Sequence, residues 1–200
     1  MRLGIDFDNT LGDFVSLLRD VTLQRTGFDI RRAREAQQES ESVESLIHAA
    51  IGKERFESFL AEIHETILTL EMPPQPGAVE VAQRLAVRHE LVVLTARNDR
   101  ETDAVRRWLE RHEIPVAGLV GTDRRSKAPF AAEHGLAVHL DDSAQVFADF
   151  GEAHPTVPAL LAHPMNATAP RAAHWRPVED WLAFEGLVRT LEREQDGAGG

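Results

Sequence analysis

Two hundred residues suffice for one sizeable apolar core, or a core with a small insertion. Hydrophobic residues make up 42% and charged residues 28%, which fits an ordinary folded chain rather than a disordered one. The formal net charge of -11 argues against tight binding to long nucleic acid, and the lack of cysteine excludes disulfides and thiolate chemistry. No apolar stretch approaches the ~20 residues of a membrane span. The first residues enter a strand pattern with no charged-then-apolar leader, so a cytoplasmic setting is expected. Lys53 and Lys127 are the only lysines.

The first predicted element is a short strand, Leu3-Gly4-Ile5-Asp6, followed by the polar turn Phe7-Asp8-Asn9-Thr10. Residues i and i+2 of a strand share a side, which places Asp6 and Asp8 together. Carboxylates this close repel unless a proton or a cation separates them, although Asp and Asn also favour plain turns. Phe14, Leu17, Leu18 and Val21 then recur at helical spacing, so a helix is expected from about Gly12 to Thr26. Asp29 to Ser45 reads as a polar loop leading into a helix through Val43, Leu46 and Ile47. Phe56, Phe59, Leu60, Ile63 and Ile67 mark a further helix.

From Pro76 the rhythm changes. A helix through Val81, Ala82 and Leu85 precedes the buried-strand pattern Leu91-Val92-Val93-Leu94-Thr95. Asn98 or Asp99 can cap a helix carrying Val105, Trp108 and Leu109. Val116 to Val120 is the third expected strand, and a short helix follows Pro129. Leu136 to Leu140 is the fourth strand, ending at Asp141-Asp142. Ser143 is expected to cap a helix through Val146, Phe147 and Phe150. Thr156 to Ala162 is the fifth strand, and Val178 to Glu192 the last helix.

Strands alternating with helices predict an α/β fold: a doubly wound, parallel, five-stranded, Rossmann-like sheet. The expected division is an α/β core of residues 1–11 and 76–194, an all-helical cap inserted at 12–75 after the first strand, and a disordered tail at 195–200. Ligands of such sheets bind outside the carboxyl ends of the strands. Those ends carry Asp6 and Asp8, Thr95, and Asp141-Asp142, with Lys127 ahead of the helix that leads into strand four. Each has an ordinary reading as a turn, a cap or a solvated end; their convergence at one crevice favours chemistry.

Asp6-x-Asp8-x-Thr10, Thr95 after four apolar residues, Lys127, and Asp141-Asp142 after a strand resemble, in order, the motifs of the haloacid dehalogenase (HAD) superfamily. The resemblance implies a phosphohydrolase. Asp6 would be the nucleophile, and Asp8 the general acid and then base. Mg²⁺ would be held by Asp6, Asp142 and the backbone carbonyl of Asp8, with Asp141 supporting the site from behind. Thr95 would hydrogen-bond the phosphoryl group, and Lys127 would pair with phosphate and Asp6. Ala96 and Arg97 would lie at the substrate rim. Dehalogenases of this superfamily need neither the second aspartate nor the metal, so Asp8 favours phosphoryl transfer.

Leu94-Thr95-Ala96-Arg97, and His163-Pro164-Met165-Asn166 before the Trp175 to Trp181 segment, resemble the 5′(3′)-deoxyribonucleotidase-like branch. That implies a small phosphorylated substrate, with a (deoxy)nucleoside monophosphate leading. The stretch from Arg97 through Trp108 to Pro115 is also similar to the 3′-phosphatase domain of polynucleotide kinases, an alternative that the acidic net charge disfavours. A catalytically idle binding protein on the same fold is the third reading, and the complete set of acidic and basic groups speaks against it. The nine histidines show no ligand spacing.

Overall fold

The computed structural model describes residues 1–36 and 43–198. Strand β1 (Arg2–Ile5) is followed by helices α1 (Phe14–Thr26), α2 (Ile30–Ala36), α3 (Val43–Ile51) and α4 (Lys53–Glu65), and by a 3₁₀ helix at Ile67–Glu71. The remainder alternates: α5 (Ala78–Ala86), β2 (Glu90–Thr95), α6 (Thr102–Arg111), β3 (Gly118–Gly121), α7 (Ala128–Glu133), β4 (Val138–Asp141), β5 (Val157–Leu161), β6 (Arg176–Val178) and α8 (Trp181–Ala198). Part of the expected polar loop, residues 37–42, lies outside the described residues.

The sheet is parallel throughout, in the order β3-β2-β1-β4-β5-β6. Its two central neighbours, β1 and β4, are far apart in sequence, so the chain changes winding direction there. That switch point opens a crevice at the carboxyl ends of both strands. Alternate residues face opposite sides, and both sides are covered. Leu3, Ile5, Leu91, Val93, Val138 and Leu140 belong to one apolar core. Val92, Leu94 and Leu160 face a second, smaller core with Phe147 and Phe150.

Six strands form the sheet, where the sequence pattern indicates five. The additional one, β6, is three residues long with Pro177 at its centre, and only Val178 is buried. Proline cannot donate to a ladder, so it belongs on an edge strand, and β6 pairs with β5 alone. The expected helix after Ser143 is instead a 3₁₀ turn, Val146–Asp149, without a side-chain cap from Ser143. Phe147 and Phe150 stand three residues apart and pack edge to face at 5.3 Å, which suits three residues per turn. Helix α8 continues to Ala198, past the start of the expected tail at 195.

The helices between β1 and β2 share the larger apolar core with the sheet: Leu17, Leu18, Ile47, Phe56 and Ile63 all belong to it. They lean on α6. Trp108 Nε1 donates to the Met72 carbonyl at 2.8 Å, and Arg111 Nη1 to the Leu70 carbonyl at 2.9 Å. No described helix is long and apolar enough to cross a membrane.

Candidate active site

The turn after β1 is held from several directions. The Asp6 N–H donates to the Leu140 carbonyl at 2.9 Å, extending the β1–β4 pairing by one residue. The Phe7 carbonyl accepts from the N–H groups of Leu11 at 3.0 Å and Gly12 at 2.9 Å. Asn9 adopts a left-handed φ of 58°, a conformation its short polar side chain tolerates, and its Oδ1 accepts the Val15 N–H at 3.1 Å. From the far end of the chain, Trp181 Nε1 donates to the Thr10 carbonyl at 3.0 Å.

Around this turn the charged groups fall into two sets. In the first, the Lys127 ammonium donates to Asp6 Oδ1 and, at 2.7 Å, to Asp141 Oδ2. Oxygens of Asp6, Asp141 and Asp142 lie within 4.8 Å of one another. All four side chains are nearly inaccessible to solvent. Burial, with Asp141 and Asp8 nearby, pushes the Asp6 carboxyl up to about 7 despite the attraction of Lys127. Burial and the charges of Asp141 and Asp6 push Asp142 well above the usual carboxylate range. For Asp141, burial acts upward but Lys127 and His139 outweigh it, holding it down to about 2. Lys127 is desolvated too, yet its two carboxylate partners raise its pKa and keep it charged.

In the second set, Asp8 faces Arg97. Arg97 Nε donates to Asp8 Oδ2 at 2.9 Å and Nη2 to Oδ1 at 2.7 Å. Burial alone would raise the Asp8 pKa; the guanidinium more than offsets that and lowers it. The sequence pattern places Asp8 beside Asp6, facing the same guest. The fold instead gives the Asp8 carboxylate its own buried cation, and the compact carboxylate group consists of Asp6, Asp141 and Asp142.

Thr95 ends β2, fully buried, and its hydroxyl oxygen accepts the Arg97 N–H at 3.3 Å. Ala96 is exposed and lines a cavity of about 270 Å³ together with Arg124, Arg125, Lys127, Ser143 and Gln145. A larger cleft of about 510 Å³ opens by Met1, Arg2 and His89 at the opposite ends of β1 and β2, and contains none of the carboxylate group.

One ammonium serves three buried carboxyls, and burial with this shortage of positive charge keeps Asp6 and Asp142 raised. His163 Nδ1 lies 3.8 Å from Asp142 Oδ2, but burial lowers that imidazole's pKa and weakens it as a counter-charge. The donor set is all oxygen, which suits a hard divalent cation such as Mg²⁺. Asn166 Nδ2 donates to the carbonyls of Asp142 and Leu161, both at 2.7 Å, tying the loop after β4 to the end of β5.

Sequence reasoning misses His139. It lies two residues before Asp141 on β4, fully buried, with Nε2 3.3 Å from Asp141 Oδ2. Strand alternation could have found it, since i and i+2 share a face. Gly4 makes its room: a Cβ there would stand 2.8 Å from His139 Nδ1. Thr69, which accepts from Arg97 Nη1 at 2.9 Å, carries no sequence signal; tertiary packing alone brings it there.

No model of a known protein family matches the chain. It is 23% identical over 195 residues to the "Putative nucleotidase BH1399" of Halalkalibacterium halodurans, covering 93% of this chain and 96% of that one. Among solved structures, the haloacid dehalogenase-like family hydrolase SP0104 from Streptococcus pneumoniae superposes with a TM-score of 0.63 at 14% identity, covering 94% and 97% of the two chains. The "putative HAD-hydrolase YfnB" from Bacillus subtilis, described as bound to magnesium, superposes with a TM-score of 0.58 at 10% identity, covering 93% and 97%. With β1 and β4 bringing their aspartates to one crevice, the chain has the fold of the haloacid dehalogenase-like hydrolases.

Proposed function

We propose that this protein is a phosphoric monoester hydrolase of the HAD superfamily, acting on a small phosphorylated metabolite, with a (deoxy)nucleoside monophosphate as the leading substrate. The observation that carries the reading is the buried group in which Lys127 joins Asp6 to Asp141, with the Asp142 carboxylate beside them. A structural core needs no such collection of charge, and burying it uncompensated is costly. The nucleotide preference is supported by the name of the Halalkalibacterium halodurans relative and by the Thr95-Ala96-Arg97 sequence.

In this mechanism an Asp6 oxygen attacks phosphorus and the bond from phosphorus to the ester oxygen breaks. Asp8, ionised beside Arg97 in the free protein, first draws a proton from solvent and then passes it to the departing alkoxide, leaving an alcohol and an aspartyl-phosphate. Asp8 then takes a proton from water as that water attacks phosphorus, which releases phosphate and restores the Asp6 carboxylate. Asp6, Asp142 and the Asp8 carbonyl would hold Mg²⁺, which when bound supplies positive charge against the phosphoryl oxygens. Lys127 orients Asp6 and offsets charge on the phosphoryl group. Thr95 and the Ala96 backbone border the phosphoryl position, and Asp141 holds Lys127 in place.

The helices from 12 to 75 act as a cap over the α/β core of residues 1–11 and 76–194, excluding water from the intermediate. This favours small substrates over polymer ends, as does the net charge of -11. A phosphomonoester panel tests the reading: nucleotides, sugar phosphates and 3′-phosphorylated oligonucleotides, each with Mg²⁺ and with EDTA. Mg²⁺-dependent release of phosphate, fastest from a nucleotide, is expected. Failure on every ester would refute the phosphatase reading, and preference for the oligonucleotide would refute the small-substrate one.

A further inference from the structure

The turn after β3 is stitched to the end of β2. The N–H groups of Thr122, Asp123 and Arg124 donate to the carbonyls of Thr95 at 2.8 Å, Arg97 at 3.1 Å and Ala96 at 2.7 Å. Gly121 allows this approach, since a Cβ there would stand 2.6 Å from the Arg97 carbonyl oxygen. Asp123 and Arg124 both take left-handed φ values, 52° and 60°. Side chains other than glycine adopt that region at a cost, and arginine there is uncommon. The turn thereby carries Arg125 to the wall of the cavity of about 270 Å³ that Ala96 and Lys127 also line.

The cations on that wall are occupied unequally. Lys127 is committed to Asp6 and Asp141, and Arg124 Nη2 to Glu101 Oε1 at 2.8 Å. Arg125 has no carboxylate partner among the described residues. Its N–H and its Nε donate to the Thr122 carbonyl, at 3.0 and 2.9 Å, and its guanidinium carbon lies 5.0 Å from the centre of the Phe130 ring. One edge and one face of the guanidinium are thus held by the protein, while Nη1 and Nη2 meet no acceptor among the described residues. A fork held in this way is shaped to receive the oxygens of a phosphate or a carboxylate. Ser126, Ser143 and Gln145 add hydroxyl and amide donors to the same cavity. Asp149 also lines it, and is exposed to solvent that screens its charge.

We propose that Arg125 is a specificity-determining residue that binds a second oxyanion of the substrate, so that the preferred esters carry another phosphate or a carboxylate besides the phosphoryl group that reacts. The proposal rests on the phosphatase reading above and narrows its substrate class. Lys127 borders both Asp6 and this cavity, so an ester attacked by Asp6 can extend along the wall to Arg125. The cavity approaches the ~300 Å³ at which small-molecule sites begin, which is more room than a lone phosphoryl group fills.

The test compares esters that differ by one anionic group: adenosine 3′,5′-bisphosphate against adenosine 5′-monophosphate, and 3-phosphoglycerate against glycerol 3-phosphate, all with Mg²⁺. A charge-assisted contact contributes about 10- to 100-fold, so wild type should favour the more acidic member of at least one pair by that factor in kcat/KM, expressed mainly in KM. The pair that shows it tells a second phosphate from a carboxylate. Arg125→Gln should bring the ratio to within about 3-fold of unity. Arg124→Gln removes the same charge from the same wall, but from a fork already held by Glu101, and should shift the ratio by less than ~3-fold. Arg125→Lys keeps the charge without the fork and should fall between wild type and Arg125→Gln; it decides the matter if Arg125→Gln does not fold.

A wild-type ratio near one in both pairs would overturn the proposal. So would equal falls in Arg125→Gln and Arg124→Gln, which would mark the general field of the wall, or equal losses on both members of a pair, which would mark contact with the reacting group. Wild type that cleaves neither these esters nor p-nitrophenyl phosphate would refute the phosphatase reading and this proposal together; wild type that cleaves them without preference would refute this proposal alone.

Discussion

Replacing Asp142 with Asn should stabilise the metal-free protein at high pH. The Asp142 carboxylate lies within 4.8 Å of oxygens of both Asp6 and Asp141. At an effective dielectric of about 20, two unit charges at that distance interact by about 3.5 kcal/mol. The substitution relieves two such repulsions and gives up one attraction to Lys127. The net gain is about 3.5 kcal/mol, or roughly 7–14 °C in Tm for a chain of this size. The pH dependence has a definite sign. Burial and neighbouring carboxylates raise the pKa of Asp142 in the fold, so the folded state holds that proton more tightly than the unfolded chain does. Stability is then present at low pH and lost as pH rises through the raised value. Asp6 behaves likewise, losing its share between the ordinary carboxylate range and about 7. The variant should therefore exceed wild type at pH 8 in EDTA and match it near pH 3, below the ordinary carboxylate range, as read by thermal and urea unfolding. Added Mg²⁺ should raise the wild-type Tm and leave the variant nearly unmoved. A variant no more stable than wild type at pH 8, or a gap independent of pH, would refute the reasoning.

Lys127→Met strands Asp6 and Asp141 without their shared cation; a loss of about 3–5 kcal/mol is expected in metal-free urea unfolding at pH 7, together with loss of turnover. Trp181→Phe keeps the apolar body but removes the N–H that holds the Thr10 carbonyl, which should cost about 1–3 kcal/mol and speed amide exchange across residues 7–12. Unchanged exchange there would show that Trp181 packs against the turn without anchoring it.

The fold was legible where the sequence repeats a simple physical rule. Leu91 to Leu94 form a continuous apolar run, as a strand buried on both faces requires, and the aspartates stand where such strands stop. Asp6, Lys127 and Asp142 could be placed together because a parallel sheet delivers all its carboxyl ends to one side. β6 was not legible, because three residues around Pro177 with a single buried position carry no period. The pairing of Asp8 with Arg97 was not legible either. It joins residues 89 positions apart, and depends on how the helical insertion seats Thr69 and His64 against the guanidinium. Local pattern marks Asp8 as one of a pair of acids. Only the packed structure shows that its counter-charge is an arginine rather than the guest of Asp6.

The most direct measurement is to trap the phosphoryl group on the protein. A ³²P-labelled monoester is mixed with the Mg²⁺-loaded protein, quenched in acid within one turnover, and mapped by peptide. The expected result is label on the peptide that contains Asp6, none in Asp6→Asn, and none in wild type mixed with EDTA in place of Mg²⁺. Label on another residue, or sustained turnover by Asp6→Asn, would contradict the assignment of Asp6 as the nucleophile.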